Sequence, residues 1–487
     1  MVYAFALPTT SHLSFQTHLS STTHPSLPQA ASTARHALRT TLKKHKRLPR
    51  GPQQEAHLTT LLTTLTNYLP YLTAISNGLG TTPDEISITL HAELEPEWRA
   101  TLSSKTTARI RGRGLDFEIA FVLTTLAYIL SNLAHSTVIR TLYAPTTPTP
   151  EQRTAAMTTA TKHLLQASAV HSLLATSPSF AHVARAVSAP AAVIPDLDPA
   201  AQAAQASLAL AEATLLAVLK DDSYVAACIQ ARNPNDKEWM VRAPEIPKVR
   251  AHLFARLCIR AAEYAEQAGA GLGAVGAHGK GGIEEELVKY VWVLSRVARA
   301  RACRFFGVDA ELAGKIGEGI SWLRAAKGAL GVRSAVGEKE NVSKSRGFSR
   351  LKQEWMERRE ERRMEKDAGS RDRSEKGELG PGDNAGREEE GRVIEMLEMK
   401  WQRMNDTINT QLIPPSADLI ANLPSGRDIH SPPAPYRLPS LGEEQLVRMR
   451  APPTEDDFGP GSDIDDSEEE PTMTRDAVPE RTDSAYY

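Results

Sequence analysis

From Gly114 to Ala134 the chain reads GLDFEIAFVLTTLAYILSNLA, and no other stretch narrows its folding options as far. Leu115, Ile119, Val122, Leu126, Ile129 and Leu133 form one stripe at helical spacing, while Phe117, Leu123, Ala127, Leu130 and Ala134 cover the opposite side. A helix that is apolar on nearly every face has to be sandwiched between other elements. Its charges, Asp116 and Glu118, fall in the first turn, where the helix dipole favours them, and Gly112 and Gly114 mark the break before it. Ile119 to Ala134 is only 16 residues and includes Thr124, Thr125, Ser131 and Asn132, against the roughly 20 apolar residues a bilayer span requires. The stretch therefore reads as the core helix of a folded protein.

Further helical runs surround it. Leucines recur at helical spacing through LTTLLTTLTNYLPYL, and later runs start at Glu151, near Ala200, at Pro247 and at Ile283, the last reaching Phe306. None of these runs alternates with period two for long, so the class is mainly all-α. Long helices on short connections, without a repeat of fixed length, predict an irregular, elongated helical solenoid with a few short extended segments near the N-terminus. From Val332 to Glu390 the composition collapses into Glu, Arg, Lys, Gly and Ser, which predicts a solvated insertion at about 332–390. An amphipathic helix then resumes, with Val393, Leu397, Trp401, Met404 and Ile408 on one face. These shifts predict a folded unit over 1–440 and a disordered, Pro-rich acidic tail over 441–487.

The net charge of -2 conceals an asymmetry. Residues 1–330 hold 33 Lys and Arg against 25 Asp and Glu, and residues 331–487 hold 24 against 34. A basic body beside an acidic tail points to an acidic partner surface, anionic lipid or nucleic acid, with ordinary solvated helix faces as the equal alternative. The cluster Lys43, Lys44, Lys46, Arg47 and Arg50 reads as a basic helix end before it reads as a targeting signal or lipid contact.

Enzyme chemistry finds no foothold in the motifs. Gly271, Gly273 and Gly276 match GxGxxG by letter, but a helical run precedes them where a dinucleotide site needs a strand, so they read as a loop. Gly279-Lys280-Gly281 lacks the Ser or Thr of a phosphate loop. The 14 histidines show no metal-ligand spacing, and Cys228, Cys258 and Cys303 read as small buried hydrophobes. No catalytic residue, cofactor or metal is expected. In the tail, Ser462 and Ser467 sit inside GSDIDDSEEE and fit an acid-directed kinase, although a plain acidic disordered run explains them better.

Four segments, in order, resemble Bro-type domains, the ALIX-like modules that recruit ESCRT machinery: FEIAFVLTTLAYILSNLA, SLALAEATLLAVLKDD, GEGISWLRAAKGAL and NDTINTQLIPP. Asn409 and Gln411 depart from the family's usual Tyr and Glu. The opening YAFALPTTSHLSF and the segment SGRDIHSPPAPY further resemble the family's fungal ambient-pH regulators. The resemblance implies a TPR-like solenoid of Bro-domain type and a non-catalytic cytosolic adaptor at plasma-membrane or endosomal ESCRT sites. It implies a role upstream of proteolytic activation of a PacC-type transcription factor, alongside other pH-signalling components. It also implies binding of the C-terminal amphipathic helix of the principal ESCRT-III filament subunit, with no nucleic-acid partner. Carried over, it places anchors at Leu215, Leu216, Leu219 and Ile229, residues that read equally well as core. Arg427 and Tyr436, isolated in an extended Pro-rich strip, are the expected pins of that strip, the alternative being a mobile linker. The rival reading is a generic helical scaffold in peripheral contact with anionic membrane.

Overall fold

The structure, a computed structural model, describes residues 1–80, 86–103, 109–185, 193–231, 248–278, 282–331 and 384–451. The N-terminal quarter combines short strands with two helices. Strands β1 (Thr9–Thr10), β4 (Glu97–Arg99) and β5 (Ile110–Arg111) form one antiparallel sheet in the order β1-β4-β5. A second ladder pairs β2 (Leu19–Ser21) with β3 (Ile88–Leu90), Ser20 opposite Thr89. Helices α1 (Leu27–Arg47) and α2 (Pro52–Gly78) pack as a hairpin beside them.

From α3 (Leu115–Leu142) onward, each long helix packs on its predecessor. The series runs through α4 (Pro150–Thr176), α5 (Pro199–Leu219), a short α6 (Ser223–Gln230), α7 (Lys248–His278), α8 (Glu285–Leu312) and α9 (Ile316–Leu330) to α10 (Arg387–Met404). Local chemistry starts and stops several of them. A capping box joins Thr149 to Gln152 at α4, and the Asp198 carboxylate accepts from the Ala200 and Ala201 amides at α5, each with Pro at the first helical position. Gly331, at φ 78°, closes α9 in the left-handed conformation.

The expected sandwiching of the apolar helix is what the structure contains. The N-terminal half of α3, from Leu115 to Leu130, lies in a core with α1, α2 and the sheets. Its Tyr128 and its C-terminal part, Ala134, Val138 and Leu142, lie in a second core built from α4 to α10. Among the described residues, two helices, Leu115–Leu142 and Pro199–Leu219, are long and apolar enough to cross a bilayer, and their most apolar windows are 94% and 83% buried inside the fold.

Several expectations need correction. The GxGxxG stretch is not a loop: α7 continues through it to His278 because Ala268 and Leu272 are buried, and Gly271 brings the helix close to α5. A Cβ at Gly271 would lie 3.0 Å from Ala204 Cβ. The charged insertion stops short of Glu390, which is wholly buried, and the fold resumes by Asn384. The folded body continues past residue 440, with Leu441 and Met449 buried and a short helix, Glu443–Met449. Ile408 leaves the stripe of Val393, Leu397 and Trp401 and is 76% exposed. The wider π-type turn at Asn405–Asn409 rotates it off the buried face.

Candidate partner-binding surfaces and the strap that crosses them

Past Met404 the chain turns back along the molecule. Asn405 brackets the reversal, its amide donating to the Gln411 carbonyl at 2.9 Å and its Oδ1 accepting from the Gln411 amide at 2.9 Å. The Gln411 side chain bridges the start of α9, accepting from Gly317 N–H at 3.1 Å and donating to the Gly314 carbonyl at 2.8 Å. Gln411 thus both donates and accepts, which a carboxylate at that position would not do. Gly317 is required here, since a Cβ would stand 2.3 Å from the Leu412 carbonyl oxygen. Ser321 on α9 then holds the Pro414 carbonyl at 2.7 Å, and a short helix α11 (Ser416–Ala421) packs on α9.

The strip 422–442 crosses the solenoid as a strap. On α7, Arg256 Nε donates to the Ser425 carbonyl at 3.1 Å and the Arg256 carbonyl accepts from Arg427 N–H at 3.1 Å. Asp428 accepts from Arg260 Nε and from Tyr264 OH, both at 2.7 Å, and these two bonds hold its carboxyl below the usual range. Further along, half-buried His430 lies against the Ala213 backbone of α5. Residues 429–437 flank an open groove of about 870 Å³ against Leu165, Gln166 and Ala169 of α4. Tyr436 and Leu438 pack on the N-terminal core. The strap ends where Ala451 N–H reaches the Thr23 carbonyl at 2.7 Å, after α12 (Glu443–Met449).

The expected site residues divide accordingly. Leu215, Leu216 and Leu219 are core, with 6%, 1% and 1% exposure, so α5 has too little free surface to present them as anchors. Ile229 is half-buried at the end of α6. Arg427 does not pin the strap by its side chain, which is exposed; its backbone does so, between Ser425 and Asp428. Tyr436 is half-buried against the N-terminal core. Ser462, Ser467 and Gly279-Lys280-Gly281 lie outside the described residues. Cys228, Cys258 and Cys303 are buried and free, and burial pushes their thiols up to about 11, 12 and 12.

Sequence reasoning missed the polar groups that hold the layers. Glu118, whose side chain is 1% exposed, accepts from Arg35 Nε at 2.8 Å, Tyr68 OH at 3.0 Å and Trp98 Nε1 at 2.7 Å, joining α1, α2, α3 and β4. A second buried group gathers Arg301 and Arg304 of α8 on Glu390 of α10, at 2.9 and 2.5 Å, with Arg304 also paired to Asp222, which caps α6. The segment 1–5 is internal as well: Asn132 brackets both backbone groups of Phe5, and Glu212 accepts from Tyr3 N–H and Tyr290 OH, each at 2.8 Å. The run MVYAFAL, apolar at its start, was the available signal.

Two kinds of surface are left open. Val288 and Trp292, four apart on α8, are 38% and 54% exposed, with Arg296 stacked on the indole at 4.4 Å. Nearer the N-terminus, the last turns of α1 carry cations with no ion-pair partner among the described residues.

A TPR-like stack of long helices crossed by a C-terminal strap defines a scaffold class, and the chain belongs to the BRO1-like domain family, whose profile matches residues 3–425. It is 64% identical over 513 aligned positions, covering all of both chains, to the pH-response regulator protein palC of Emericella nidulans. It is 29% identical over 178 residues to the palC protein of Cryptococcus neoformans, about a third of each chain. The fold is similar to that of an ALIX BRO1 CHMP4C complex, with a TM-score of 0.52 at 15% identity over 90% of this chain and 96% of that one. ALIX in complex with a SIVmac239 late-domain peptide gives 0.53 at 16% identity, covering 49% of that chain.

Proposed function

We propose that this protein is a non-catalytic adaptor in ambient-pH signalling, recruited from the cytoplasm to endosomal or plasma-membrane ESCRT sites and acting upstream of proteolytic activation of a PacC-type transcription factor. The observation that carries this reading is the full-length 64% identity to a pH-response regulator. Its partner in this reading is the C-terminal helix of the ESCRT-III filament subunit, a choice supported by the likeness to a BRO1 domain solved with CHMP4C. One Bro-type unit runs from the N-terminus to the end of the strap. Helix-in-groove binding needs apolar side chains with free area. Of the four residues first expected, Ile229 on α6 retains some, and on α5 the half-buried Leu210 and Ala217, seven residues apart, share one face.

The test is titration of the full chain with a labelled peptide of that ESCRT-III helix, followed by anisotropy, beside Ile229→Asp and Trp292→Asp. Saturable binding that Ile229→Asp weakens by about tenfold or more, with unchanged circular dichroism, places the partner at the α5–α6 surface. Loss with Trp292→Asp alone moves it to α8. Absence of binding by the parent chain overturns the partner assignment. A peripheral membrane contact is the second reading, favoured by those cations at the end of α1.

A further inference from the structure

The first 54 residues contain seven Lys and Arg and no Asp or Glu. Arg35 is internal, on Glu118. Arg39, Lys43, Lys44, Lys46 and Arg47 occupy the C-terminal half of α1, and Arg99 of β4 and Arg109 before β5 come close enough to be felt there. Desolvation, and then repulsion from Arg39, Arg109 and Arg47, pushes the Lys43 ammonium below its ordinary value; desolvation and then Arg99 and Arg109 do the same to Lys46. Among the described residues, none of the five cations on α1 from Arg39 to Arg47, nor Arg99 or Arg109, has a carboxylate within ion-pair distance. His45 and His57 stack beside them, and burial holds His45 near 4, so neither the pair nor any acid balances the patch. Its centre is a shallow recess of about 280 Å³ lined by Thr40, Lys43, Lys44, Arg47 and Leu48. Like charges gathered without a counter-charge repel one another, and a polyanion relieves that repulsion.

The same chain supplies one. Residues 455–470 hold nine Asp and Glu and no Lys or Arg. The strap fixes where that segment leaves the body: Met449 is buried, Ser26 Oγ donates to its carbonyl at 3.4 Å, and Ala451 is tied to Thr23, beside the start of α1. The recess lies towards the far end of that 21-residue helix, roughly 30 Å along its axis. The 12 to 19 residues that separate Ala451 from 463–470 have a covalent reach of at least about 40 Å. That reach exceeds the distance to be bridged, the condition for a tethered segment to engage a site on its own body. We propose that the acidic segment 455–470 docks intramolecularly on the cationic end of α1, so that an anionic partner reaches this surface only by displacing the tail. Phosphate on Ser462 or Ser467 would tighten the contact, each adding about 1.5 to 2 negative charges.

Zero-length carbodiimide coupling of the monomeric full chain, read by mass spectrometry, tests this directly. Links from Lys43, Lys44 and Lys46 to residues 455–470 should dominate over links from the exposed Lys315 at the start of α9, and should fade near 1 M salt, where the Debye length is about 3 Å. The variant Arg39→Glu/Arg47→Glu keeps all three lysines and should lower those links by about tenfold with an unchanged circular-dichroism spectrum. In parallel, neutralising the tail (Asp463→Asn, Asp465→Asn, Asp466→Asn, Glu468→Gln, Glu469→Gln, Glu470→Gln) should raise binding to phosphatidylserine vesicles by about tenfold. Tail links spread evenly over all exposed lysines, or links unaltered by Arg39→Glu/Arg47→Glu, would overturn the proposal. Vesicle binding indifferent to the tail would do the same and leave the patch as an open membrane contact.

Discussion

Glu118 shows what a single buried charge does in this fold. Its carboxylate is the common acceptor for Arg35, Tyr68 and Trp98, so its removal leaves a buried cation without its counter-charge and two buried donors without an acceptor. Glu118→Ala should lower stability by about 3–5 kcal/mol, read as a shift in the urea midpoint. Glu212 behaves in the opposite sense. Burial raises its carboxyl from 4.5 to about 7, against the opposing bonds from Tyr290 OH and Tyr3 N–H. Because the folded state holds this proton more tightly than the unfolded one, the contribution of Glu212 to stability is complete below about pH 4.5 and is lost as pH rises to about 7. Glu212→Gln keeps an oxygen acceptor for both donors and should abolish that loss, on the order of 3 kcal/mol, in unfolding curves collected from pH 5 to 8. Leu216, at 1% exposure, supports a third prediction: Leu216→Asp should unfold the chain rather than merely uncouple a partner, seen as collapse of the thermal transition.

At the scale of elements, the strap is held by backbone approach and one carboxylate, not by its most conspicuous side chains. A Cβ on Gly426 would come within 2.8 Å of the Arg260 backbone, which has no room to move within α7. Gly426→Ala should therefore lift the strap and speed trypsin cleavage at Arg427 and Arg437, and Asp428→Ala should do so more weakly by removing the bonds from Arg260 and Tyr264. Arg427→Ala should leave the remaining cleavage unchanged, since only its backbone is engaged. Unaltered proteolysis of the Gly426 variant would mean that the strap is seated by its apolar end alone, through Tyr436, Leu438, Leu441 and Met449.

For the whole molecule, the consequential feature is that α3 belongs to both cores. Trp98 reports on the N-terminal one, stacked on Phe121 with centroids 5.3 Å apart, while Trp322 and Trp401 report on the other. A helix threaded through both should make them unfold together. Variants retaining only Trp98, or only Trp401, should share one denaturant midpoint within error by fluorescence; two separated midpoints would show that the sheets and first helices form an independent unit.

Helix by helix, much of this was legible in the sequence, because periodicity is local. The all-apolar α3, the proline-opened α4 and α5 and the resumption of helix before Trp401 all follow from residue spacing and capping chemistry. What periodicity could not resolve was which face of an all-apolar helix is open: LLAVL reads the same whether it meets a partner or a core, and only the packing of α4 and α7 on α5 seals Leu215, Leu216 and Leu219. The glycines of α7 likewise read as a loop until α5 supplied the surface that keeps them helical. The strap lay furthest from prediction, since an extended strip has no internal period and its position is written in Arg256, Arg260 and Tyr264, more than 160 residues earlier. Spacing and composition by themselves determined the helices, the charge asymmetry and the family resemblance, because each is carried by residues near one another in the chain. Tertiary structure alone decided which surfaces remain free, because burial depends on what distant segments cover.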